Sequence, residues 1–377
     1  MDTKIERLNV ERKGRIIAVS DIHGNVKYLD GLLKKIAFSQ EDTLIIVGDM
    51  IEKGPESLKT VRYVLNLKER NPNVYATMGN VDVDRIGKFF DDSQEGNVDF
   101  LNALRWTRDV WERGIFLDML EELGICLDEV SEENIADVKA RIRNEYKKEL
   151  DFLWRLPTIL TIGNYIFVHA GIPTDSLEEL ENTEAFNYLK RDAFLESEVS
   201  FEKTVVVGHW PVCLYREDID SMNPIFDVEK HIIAIDGGCA LKIGAQLNAL
   251  MIPDAFADIK ETSFVAFDDY PVMIATRAQQ AKEKTICIRY FDSKIEVIEE
   301  LGDIVRVRHL SSGKEFMVPI SYLYKKKTHC SDYTDVYLEV AKGDKLSVIE
   351  ETSIGYIVKK DGIIGWYCMA DDKYDRI

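Results

Sequence analysis

The chain has 377 residues, 46% hydrophobic and 31% charged, which is typical of a globular protein with two or three domains. No stretch approaches the roughly 18 uncharged apolar residues that a membrane-spanning helix needs, and the N-terminus lacks the apolar segment of a secretory signal, so we expect a cytoplasmic protein with no membrane partner. The net charge of −19 disfavours nucleic acid as a partner, because binding to a phosphate backbone depends on an excess of Lys and Arg.

Short apolar runs near the N-terminus predict three β-strands, each of which ends in a polar loop. They cover residues 15–20, 43–47 and 74–78. Leucine and isoleucine residues at helical spacing follow the first run, and leucine and valine residues follow the second. This order of strand, loop and helix predicts an α/β fold, in which ligands bind at the carboxyl ends of the strands.

The segment from about residue 86 to 156 has a different character. Aromatic and leucine positions alternate with dense charges at helical spacing, and proline is absent until Pro157. We interpret this segment as a helical insertion or cap. Strand patterns then resume at residues 165–168, 204–207 and 231–235, and each again ends in a polar loop.

Beyond about residue 275 the polar loops stop, and short β-type runs with glycine and aspartate turns replace them. We therefore predict a catalytic domain over residues 14–275 and a separable all-β region over residues 285–377. Within this region the heptapeptide Lys-Ile-Glu-Val-Ile-Glu-Glu, which starts at Lys294, recurs as Lys-Leu-Ser-Val-Ile-Glu-Glu from Lys345. The recurrence predicts two small β units in tandem or one barrel with a doubled hairpin.

Six loops that follow predicted strands contain residue types that bind metal ions. Each motif is weak when taken singly, because a strand-end histidine or a glycine-containing turn is usually structural. The joint pattern is stronger, since carboxylates, imidazoles and amide oxygens are ligands of divalent ions and strand ends bring them to one edge of a sheet. The loops contain Asp21-Ile-His23-Gly-Asn25, Gly48-Asp49, Gly79-Asn80, Val168-His169-Ala-Gly171, Gly208-His209 and Ile235-Asp236-Gly-Gly238.

These motifs, in this order over about residues 14–260, resemble those of the calcineurin-like metallophosphoesterases. Within that family they are similar to the phosphoprotein phosphatase branch, which also contains symmetrical diadenosine tetraphosphate hydrolases. The resemblance implies a β-sandwich flanked by helices and a centre with two divalent metal ions, for which Mn²⁺ is the first candidate and Fe or Zn²⁺ are alternatives. It implies as metal ligands Asp21, His23, Asp49, Asn80, His169 and His209, with Asp49 bridging the two ions.

Two further site residues follow from the same resemblance. Asp236 looks like the family's aspartate near the last metal histidine, where its carboxylate would orient the imidazole of His209. Arg191, in Arg-Asp-Ala-Phe, is similar to an arginine that bacterial members place on the substrate phosphate. Both residues are therefore expected to contribute to catalysis.

Two motifs depart from the family pattern. The family's Gly-Asp-x-x-Asp-Arg-Gly is replaced by Gly-Asp-Met-Ile-Glu-Lys-Gly, so Lys53 stands where the phosphate-binding arginine is usual and Glu52 where the aspartate is usual. The family's Gly-Asn-His is replaced by Gly-Asn-Val, and Val81 cannot donate a proton to a leaving group. We consider Glu52 as a substitute acid that reaches the leaving oxygen, and we expect reduced activity rather than inactivity.

The tail resembles bacterial SH3-like domains, and its run from Gly362 to Tyr367 is close to how such domains end. Such a region would bind a peptide or pack against the catalytic domain.

These expectations favour a metal-dependent phosphomonoester hydrolase, and first of all a serine/threonine protein phosphatase that uses a hydroxide activated by two metal ions. Its partner would be a phosphorylated protein or a small phosphoester substrate. One alternative is a phosphohydrolase of dinucleoside polyphosphates or nucleic acid ends. Another is a pseudophosphatase that keeps the metals and binds a phosphorylated partner without turnover, for which Val81 and Lys53 are the reasons.

Overall fold

The computed structural model describes residues 1–9, 14–216, 220–282 and 286–368, which form two compact units. The first unit consists of Met1–Pro211, Pro224–Leu241 and Leu247–Phe267. The second consists of Val212–Asn223, Lys242–Gln246 and Asp268–Ile377. The second unit therefore takes two short segments from within the sequence range of the first, in addition to the tail.

The strands of the first unit form two sheets. In chain order they are β1 (Ile5–Arg7), β2 (Ile16–Val19), β3 (Thr43–Val47), β4 (Val74–Thr77), β5 (Ile159–Ile162), β6 (Tyr165–Val168), β7 (Thr204–Val207), β8 (Ile225–Asp227), β9 (Ile232–Ala234), β10 (Leu247–Ile252) and β11 (Ser263–Phe267). One sheet has the order β1-β5-β6-β7-β9-β8 and the other has the order β11-β10-β2-β3-β4. Strands β2, β3 and β4 are parallel, as are β6, β7 and β9, so each triplet collects its carboxyl ends at one edge.

The helices of the first unit follow strands or form the insertion between β4 and β5. They are α1 (Val26–Lys35), α2 (Ser57–Arg70), α3 (Asn80–Phe90), α4 (Gln94–Trp111), α5 (Ile115–Glu122), α6 (Ile135–Glu145), α7 (Lys147–Trp154), α8 (Leu177–Leu180) and α9 (Phe186–Leu189), with single 3₁₀ turns at Leu127–Glu129, Phe194–Glu196 and Ile259–Glu261. Among the helices of the described residues, none has the length and apolar character required to cross a membrane.

Alternate side chains of the parallel strands pack on opposite faces of their sheet, as the two-residue period of a strand requires. Val47 of β3 is fully buried in a cluster with Phe167 of β6 and Val206 of β7, which joins the two sheets. The neighbouring Ile46 instead belongs to a cluster with helical residues such as Leu29 of α1. Full burial stabilises the fold by about 1.5–3 kcal/mol for each such side chain. The first unit is thus a β-sandwich flanked by helices, which confirms the predicted fold class.

The helical insertion begins earlier than the sequence pattern indicates. Helix α3 starts at Asn80, whereas the pattern places the start of the helical segment near residue 86. The carboxylate of Asp82 accepts a hydrogen bond of 2.9 Å from the main-chain N–H of Gly79 and so satisfies one of the free N–H groups at the helix start. The apolar residues of the first turn, Val81 and Val83, are two positions apart, which is not the apolar period of a helix.

The second unit contains only strands and single 3₁₀ turns among its described residues, as predicted for an all-β tail. The strands are β12 (Val272–Ile274), β13 (Cys287–Ile288), β14 (Ile295–Leu301), β15 (Ile304–His309), β16 (Glu315–Pro319), β17 (Leu323–Tyr324), β18 (His329–Cys330), β19 (Tyr333–Thr334), β20 (Lys345–Glu351), β21 (Gly355–Lys360) and β22 (Ile363–Cys368), and the turns are Val212–Tyr215 and Ile320–Tyr322. The antiparallel sheets have the orders β12-β20-β21-β22, β14-β15-β16, β13-β19 and β17-β18. The likeness to SH3 domains remains a prediction.

The recurring heptapeptide forms corresponding strands in this unit. It lies in β14 and in β20, and each of these strands begins an antiparallel run of three strands. The pairing register shifts between Val297 and Glu299 in the first copy and between Val348 and Glu350 in the second, which are the same positions of the repeat. A shared bulge at a shared position favours the interpretation as two related β units.

Two segments outside the tail bear on whether the tail is separable. Cys213 and Met222 are fully buried in the core cluster of the second unit, which also contains Val307 and Trp366. A chain truncated after Phe267 would expose both residues, so we expect it to aggregate or to melt at a lower temperature than the full chain. An unchanged melting temperature of the remaining unit, measured by differential scanning calorimetry, would instead support the predicted separation.

Candidate functional site

The carboxyl ends of the parallel strands bring three buried ligand groups together. Asp21 follows β2, Asp49 follows β3 and His169 follows β6. One potential ligand atom from each lies within 4.8 Å of the other two. Two carboxylates and an imidazole at this spacing are a donor set for a divalent cation.

Two imidazoles are oriented by main-chain carbonyl groups. His169 Nδ1 lies 3.1 Å from the Val47 carbonyl oxygen, and His23 Nδ1 lies 3.3 Å from that of Ile51. Since a carbonyl only accepts, Nδ1 carries the proton in each ring and Nε2 keeps its lone pair. The Nε2 atoms of His23 and His169 lie 3.6 and 3.5 Å from the two different carboxylate oxygens of Asp49. Asp49 therefore lies between the two rings, as expected of a bridging ligand.

The amide of Asn80 joins this group at the start of α3. Its Oδ1 lies 3.0 Å from His169 Nε2, and the main-chain N–H of Val81 donates a 2.9 Å hydrogen bond to Asp49 Oδ1. The facing atoms of Asn80, His169 and Asp49 are all electron-pair donors once the imidazole proton is assigned to Nδ1. Such an arrangement is favourable when a cation lies among the donors, so these residues fit a metal ion.

Several residues of these loops have positive φ angles although they are not glycine. The φ values are 53° for Asp21, 48° for His23, 46° for Asp49 and 68° for His209. Each such conformation costs on the order of 1–3 kcal/mol and is retained where the surrounding structure enforces it. The strain coincides with the strand ends that carry the candidate ligands, which favours a functional role for these loops.

Burial sets the charge state of the group. Burial, with the neighbouring charge of Asp49, raises the pKa of Asp21 to about 8. Burial lowers the pKa of His23 to about 3 and that of His209 to about 4. The pKa of Asp49 is held below its usual range by His169 and His23 in spite of its burial. Both lowered imidazoles are therefore neutral near pH 7, which is the form that binds metal ions.

The main chain of His209 contacts Asp21, and its ring lies beside the ring of His169. Its main-chain N–H donates a 3.0 Å hydrogen bond to Asp21 Oδ2, and its ring centroid lies 5.1 Å from that of His169. Its Nε2 lies 2.9 Å from Asp192 Oδ1. The sequence predicted that the carboxylate of Asp236 would orient this imidazole, but the carboxylate that contacts it is that of Asp192. Asp236 is buried, accepts a hydrogen bond from the Gly238 N–H, and has no partner for Oδ2 within the described residues.

Lys53 and Glu52 occupy different surroundings. The Lys53 ammonium lies 3.2 Å from His23 Nε2 and 3.8 Å from Asp49 Oδ2, at the edge of the cluster. Glu52 is 1% exposed, accepts a 2.8 Å hydrogen bond from the N–H of Ile115 at the start of α5, and lies 3.4 Å from Arg85 Nε. Burial raises the pKa of Glu52 to about 7, against the opposing charge of Arg85. The carboxyl is enclosed between the loop and α5 and does not line the cavity, which disfavours the expectation that it reaches a leaving oxygen.

A cavity of about 680 Å³ adjoins the cluster through Lys53 and Asn80. Its described lining contains Lys190 but not Arg191, whose guanidinium lies over the Phe194 ring at 5.2 Å. The cationic residue at this edge of the cavity is therefore Lys190, and not the adjacent Arg191 that the motif predicted. The cavity is lined by Lys53, Asn80, Val81, Asp84, Arg85, Lys88, Asp99, Asn102, Ala103, Trp106, Trp111, Phe186 and Lys190.

Sequence patterns did not identify several residues around the site. Asp82 accepts hydrogen bonds from the main-chain N–H groups of Met50 and Ile51 as well as Gly79, and so ties the loop after β3 to the loop after β4. A carboxylate three residues after a glycine was the available signal, since this is the position of a helix-start acceptor. Lys190 and Asp192 directly flank Arg191 in the sequence, and this adjacency was the available signal for both residues.

Replacement of Gly208 by alanine should disturb the cluster. A Cβ at this position would overlap Asp21 Oδ2, because the Gly208 backbone passes directly beside that carboxylate. We expect Gly208→Ala to weaken metal binding by about 10- to 100-fold, the usual effect of disturbing a residue that supports a metal ligand. Titration of the metal-free protein with Mn²⁺ measures this. Gly87→Ala is the control, since a Cβ there meets no atom within 4 Å; equal affinities in the two variants would contradict the assigned role of Asp21.

Comparison with known families agrees with this geometry. The model of the family described as calcineurin-like phosphoesterase matches residues 14–227, more than half of the chain. The chain belongs to this family. As a calcineurin-like phosphoesterase it is a metal-dependent hydrolase of phosphoesters, and the family binds two divalent metal ions.

Curated relatives carry the name symmetrical bis(5′-nucleosyl)-tetraphosphatase. The protein of Pectobacterium atrosepticum is 27% identical over an alignment of 272 residues, and the match covers 63% of this calcineurin-like phosphoesterase and 91% of that protein. The protein of Legionella pneumophila is 28% identical over an alignment of 276 residues, and the match covers 63% of this chain and 93% of that protein. A relative from Buchnera aphidicola is 36% identical, but the match spans only 37% of its length.

Solved structures match with low TM-scores. A protein serine/threonine phosphatase from Saccharomyces cerevisiae is 16% identical, and the match covers 71% of this chain and 84% of that chain at a TM-score of 0.43. A metallophosphoesterase from Sphaerobacter thermophilus is 16% identical, and the match covers 67% of this chain and 88% of that chain at a TM-score of 0.35. At these scores neither match bears on the choice of substrate.

Proposed function

We propose that this calcineurin-like phosphoesterase hydrolyses dinucleoside polyphosphates, with cleavage of a phosphoanhydride bond at the cluster of Asp21, Asp49 and His169. The names of the Pectobacterium and Legionella relatives support this substrate class. They support the alternative reached from the sequence better than a serine/threonine protein phosphatase, which was the first expectation.

The observation that carries the proposal is that valine, and not histidine, follows Asn80 at position 81. Val81 lines the cavity with methyl groups, and the described lining contains no histidine, tyrosine or cysteine. A serine alkoxide is strongly basic and needs a proton as it leaves. A nucleotide phosphate leaves as a stable anion, because its own last ionisation lies near a pKa of about 6. A site without a histidine acid is therefore better suited to an anhydride than to a phosphoserine.

The donor set assigns roles to the residues of the cluster. Asp21 and His23 would hold one ion. The other ion would be held by Asn80, His169 and His209. Asp49 would be a ligand of both ions. When bound, two such ions lower the pKa of a water molecule and neutralise charge on the phosphate. Carboxylate, imidazole and amide donors suit Mn²⁺, with Fe and Zn²⁺ as alternatives.

Residues at the cavity would complete the site. Lys53 lies beside the cluster, so it would neutralise a non-bridging oxygen of the attacked phosphate as a point charge. Lys190 lines the same cavity and lies 3.3 Å from His209 Nε2. It would neutralise the departing phosphate chain. Asp192, between Lys190 and His209, would keep both side chains oriented.

A comparison of substrates tests the proposal. The purified full-length protein, supplied with Mn²⁺, is assayed with diadenosine tetraphosphate and with a phosphoserine peptide. We expect kcat/KM to be at least about 100-fold higher for the dinucleotide, because a missing acid costs about 10²–10⁴ in rate for a basic leaving group. A higher kcat/KM for the peptide would overturn the proposal and restore the protein phosphatase.

A further inference from the structure

We propose that one face of helix α4 is a binding site for the adenine base of the substrate, with Trp106 as its stacking surface. The ligand class rests on the proposed function, whereas the site itself rests on the cavity. Asp99, Asn102, Ala103 and Trp106 all line the cavity. They are spaced at i, i+3, i+4 and i+7, which places them on one side of a helix.

The core of α4 lies on different positions. Phe100, Leu101 and Leu104 are buried in the hydrophobic cluster of the first unit. Trp106 is not required there, and it is 46% exposed. A large aromatic side chain that is left half-exposed at a cavity is typical of a ligand surface, since the ring offers apolar area without further ordering.

The ring of Trp106 is held in place by its neighbours. Its centroid lies 4.6 Å from that of Trp111 at an angle of 77°, and the Arg85 guanidinium lies 5.4 Å from the Trp106 ring and 5.1 Å from the Trp111 ring. Arg85 is itself fixed by Glu52 and Asp84. A ring supported in this way loses little freedom when a base stacks on it.

Polar groups for recognition of the base lie one and two turns away on the same face. Asp99 and Asn102 are exposed at the cavity, and in the described part of the chain neither side chain has a hydrogen-bond partner. A side-chain amide matches the adjacent acceptor and donor on an adenine edge in a bidentate manner, whereas guanine presents two acceptors there. The site therefore favours adenine over guanine.

The same cavity connects this face to the cluster through positive charges. Arg85 and Lys88 of α3, which are both paired with Asp84, line it alongside Trp106 together with Lys53 and Lys190. A nucleotide with its base on Trp106 would direct its phosphates past these cations. The volume of about 680 Å³ lies within the range of about 300–1,000 Å³ usual for ligand pockets.

Binding of ADP to the full-length protein tests the site independently of turnover. We expect Trp106→Ala to weaken ADP binding by about 5- to 150-fold in isothermal titration, the usual loss when a stacking ring is removed. Trp106→Phe should restore most of the affinity. Trp154→Ala is the matched control, because Trp154 is 36% exposed and does not line the cavity. Equal ADP affinities of Trp106→Ala, Trp154→Ala and the wild type would overturn the site.

Kinetics separate this site from the proposed function. The preference for the dinucleotide is the ratio of kcat/KM for diadenosine tetraphosphate to kcat/KM for p-nitrophenyl phosphate, which has no base. In Trp106→Ala this ratio should fall by about 5- to 150-fold, mainly because KM for the dinucleotide rises. Asn102→Ala should lower the preference for diadenosine over diguanosine tetraphosphate. If the wild type binds ADP through Trp106 but does not hydrolyse the dinucleotide, the proposed function fails and the site stands. If hydrolysis proceeds and neither ratio changes in the variants, the site fails alone.

Discussion

Asp49→Asn should remove tight metal binding and lower turnover by at least about 100-fold. Asp49 lies between His23 Nε2 and His169 Nε2, with one carboxylate oxygen directed at each ring. The substitution removes one negative charge from a site for two dications. Loss of a residue that only supports a ligand costs about 10- to 100-fold, so loss of a shared ligand should cost more. Metal content per chain and turnover of diadenosine tetraphosphate measure the effect.

Asp254→Asn is the control for this variant, because it makes the same change of charge at an exposed position. Its metal content and turnover should equal those of the wild type. Retention of two metal ions and full activity in Asp49→Asn would show that the cluster around Asp49 is not the metal centre.

Val81→His should raise the rate on substrates with basic leaving groups by up to about 10²–10⁴-fold, the usual contribution of a positioned acid. Val81 is buried and lines the cavity next to Asn80, so an imidazole there would face the leaving group. In the wild type we expect the rate on a series of aryl and alkyl phosphates to fall steeply as the pKa of the leaving group rises. In the variant this dependence should become shallower.

Val81→Leu serves as the control, since it changes the shape of the side chain without supplying an acid. A shallow dependence in the wild type would mean that a group already on the cavity donates the proton. Lys53 and Lys190 would then be the groups to replace, because the Glu52 carboxyl is enclosed beside α5.

The strand-end loops were predictable because each follows a run of apolar residues. The runs before Asp21 and Asp49 form parallel strands of one sheet, and the run before His169 forms β6 of the other sheet. The sequence predicted that these loops would meet at one edge of a single sheet, whereas the structure brings them together from two sheets. The β-sandwich and the helical insertion followed from the same patterns together with the family resemblance. Local spacing carried this information, since strand and helix periods are read within a few residues.

The cavity was not predictable in the same way. Arg85 and Trp111 are 26 residues apart in sequence, and no local pattern indicates that the guanidinium lies on the ring. Glu52 was expected at the leaving group because of its place in a motif, yet the start of α5 encloses it. The assignment of Cys213 and Met222 to the second unit also depends on long-range packing, which composition does not reveal.

Hydrolysis of diadenosine tetraphosphate in water enriched in oxygen-18 tests the proposed function most directly. The full-length protein is supplied with Mn²⁺, and the products are resolved by mass spectrometry. We expect each substrate to give two molecules of ADP, one of which carries a single heavy oxygen, because water attacks one phosphorus atom and the other nucleotide leaves intact. ATP with AMP would contradict symmetrical cleavage. Absence of turnover on this substrate, with both metal ions bound, would contradict the proposed function.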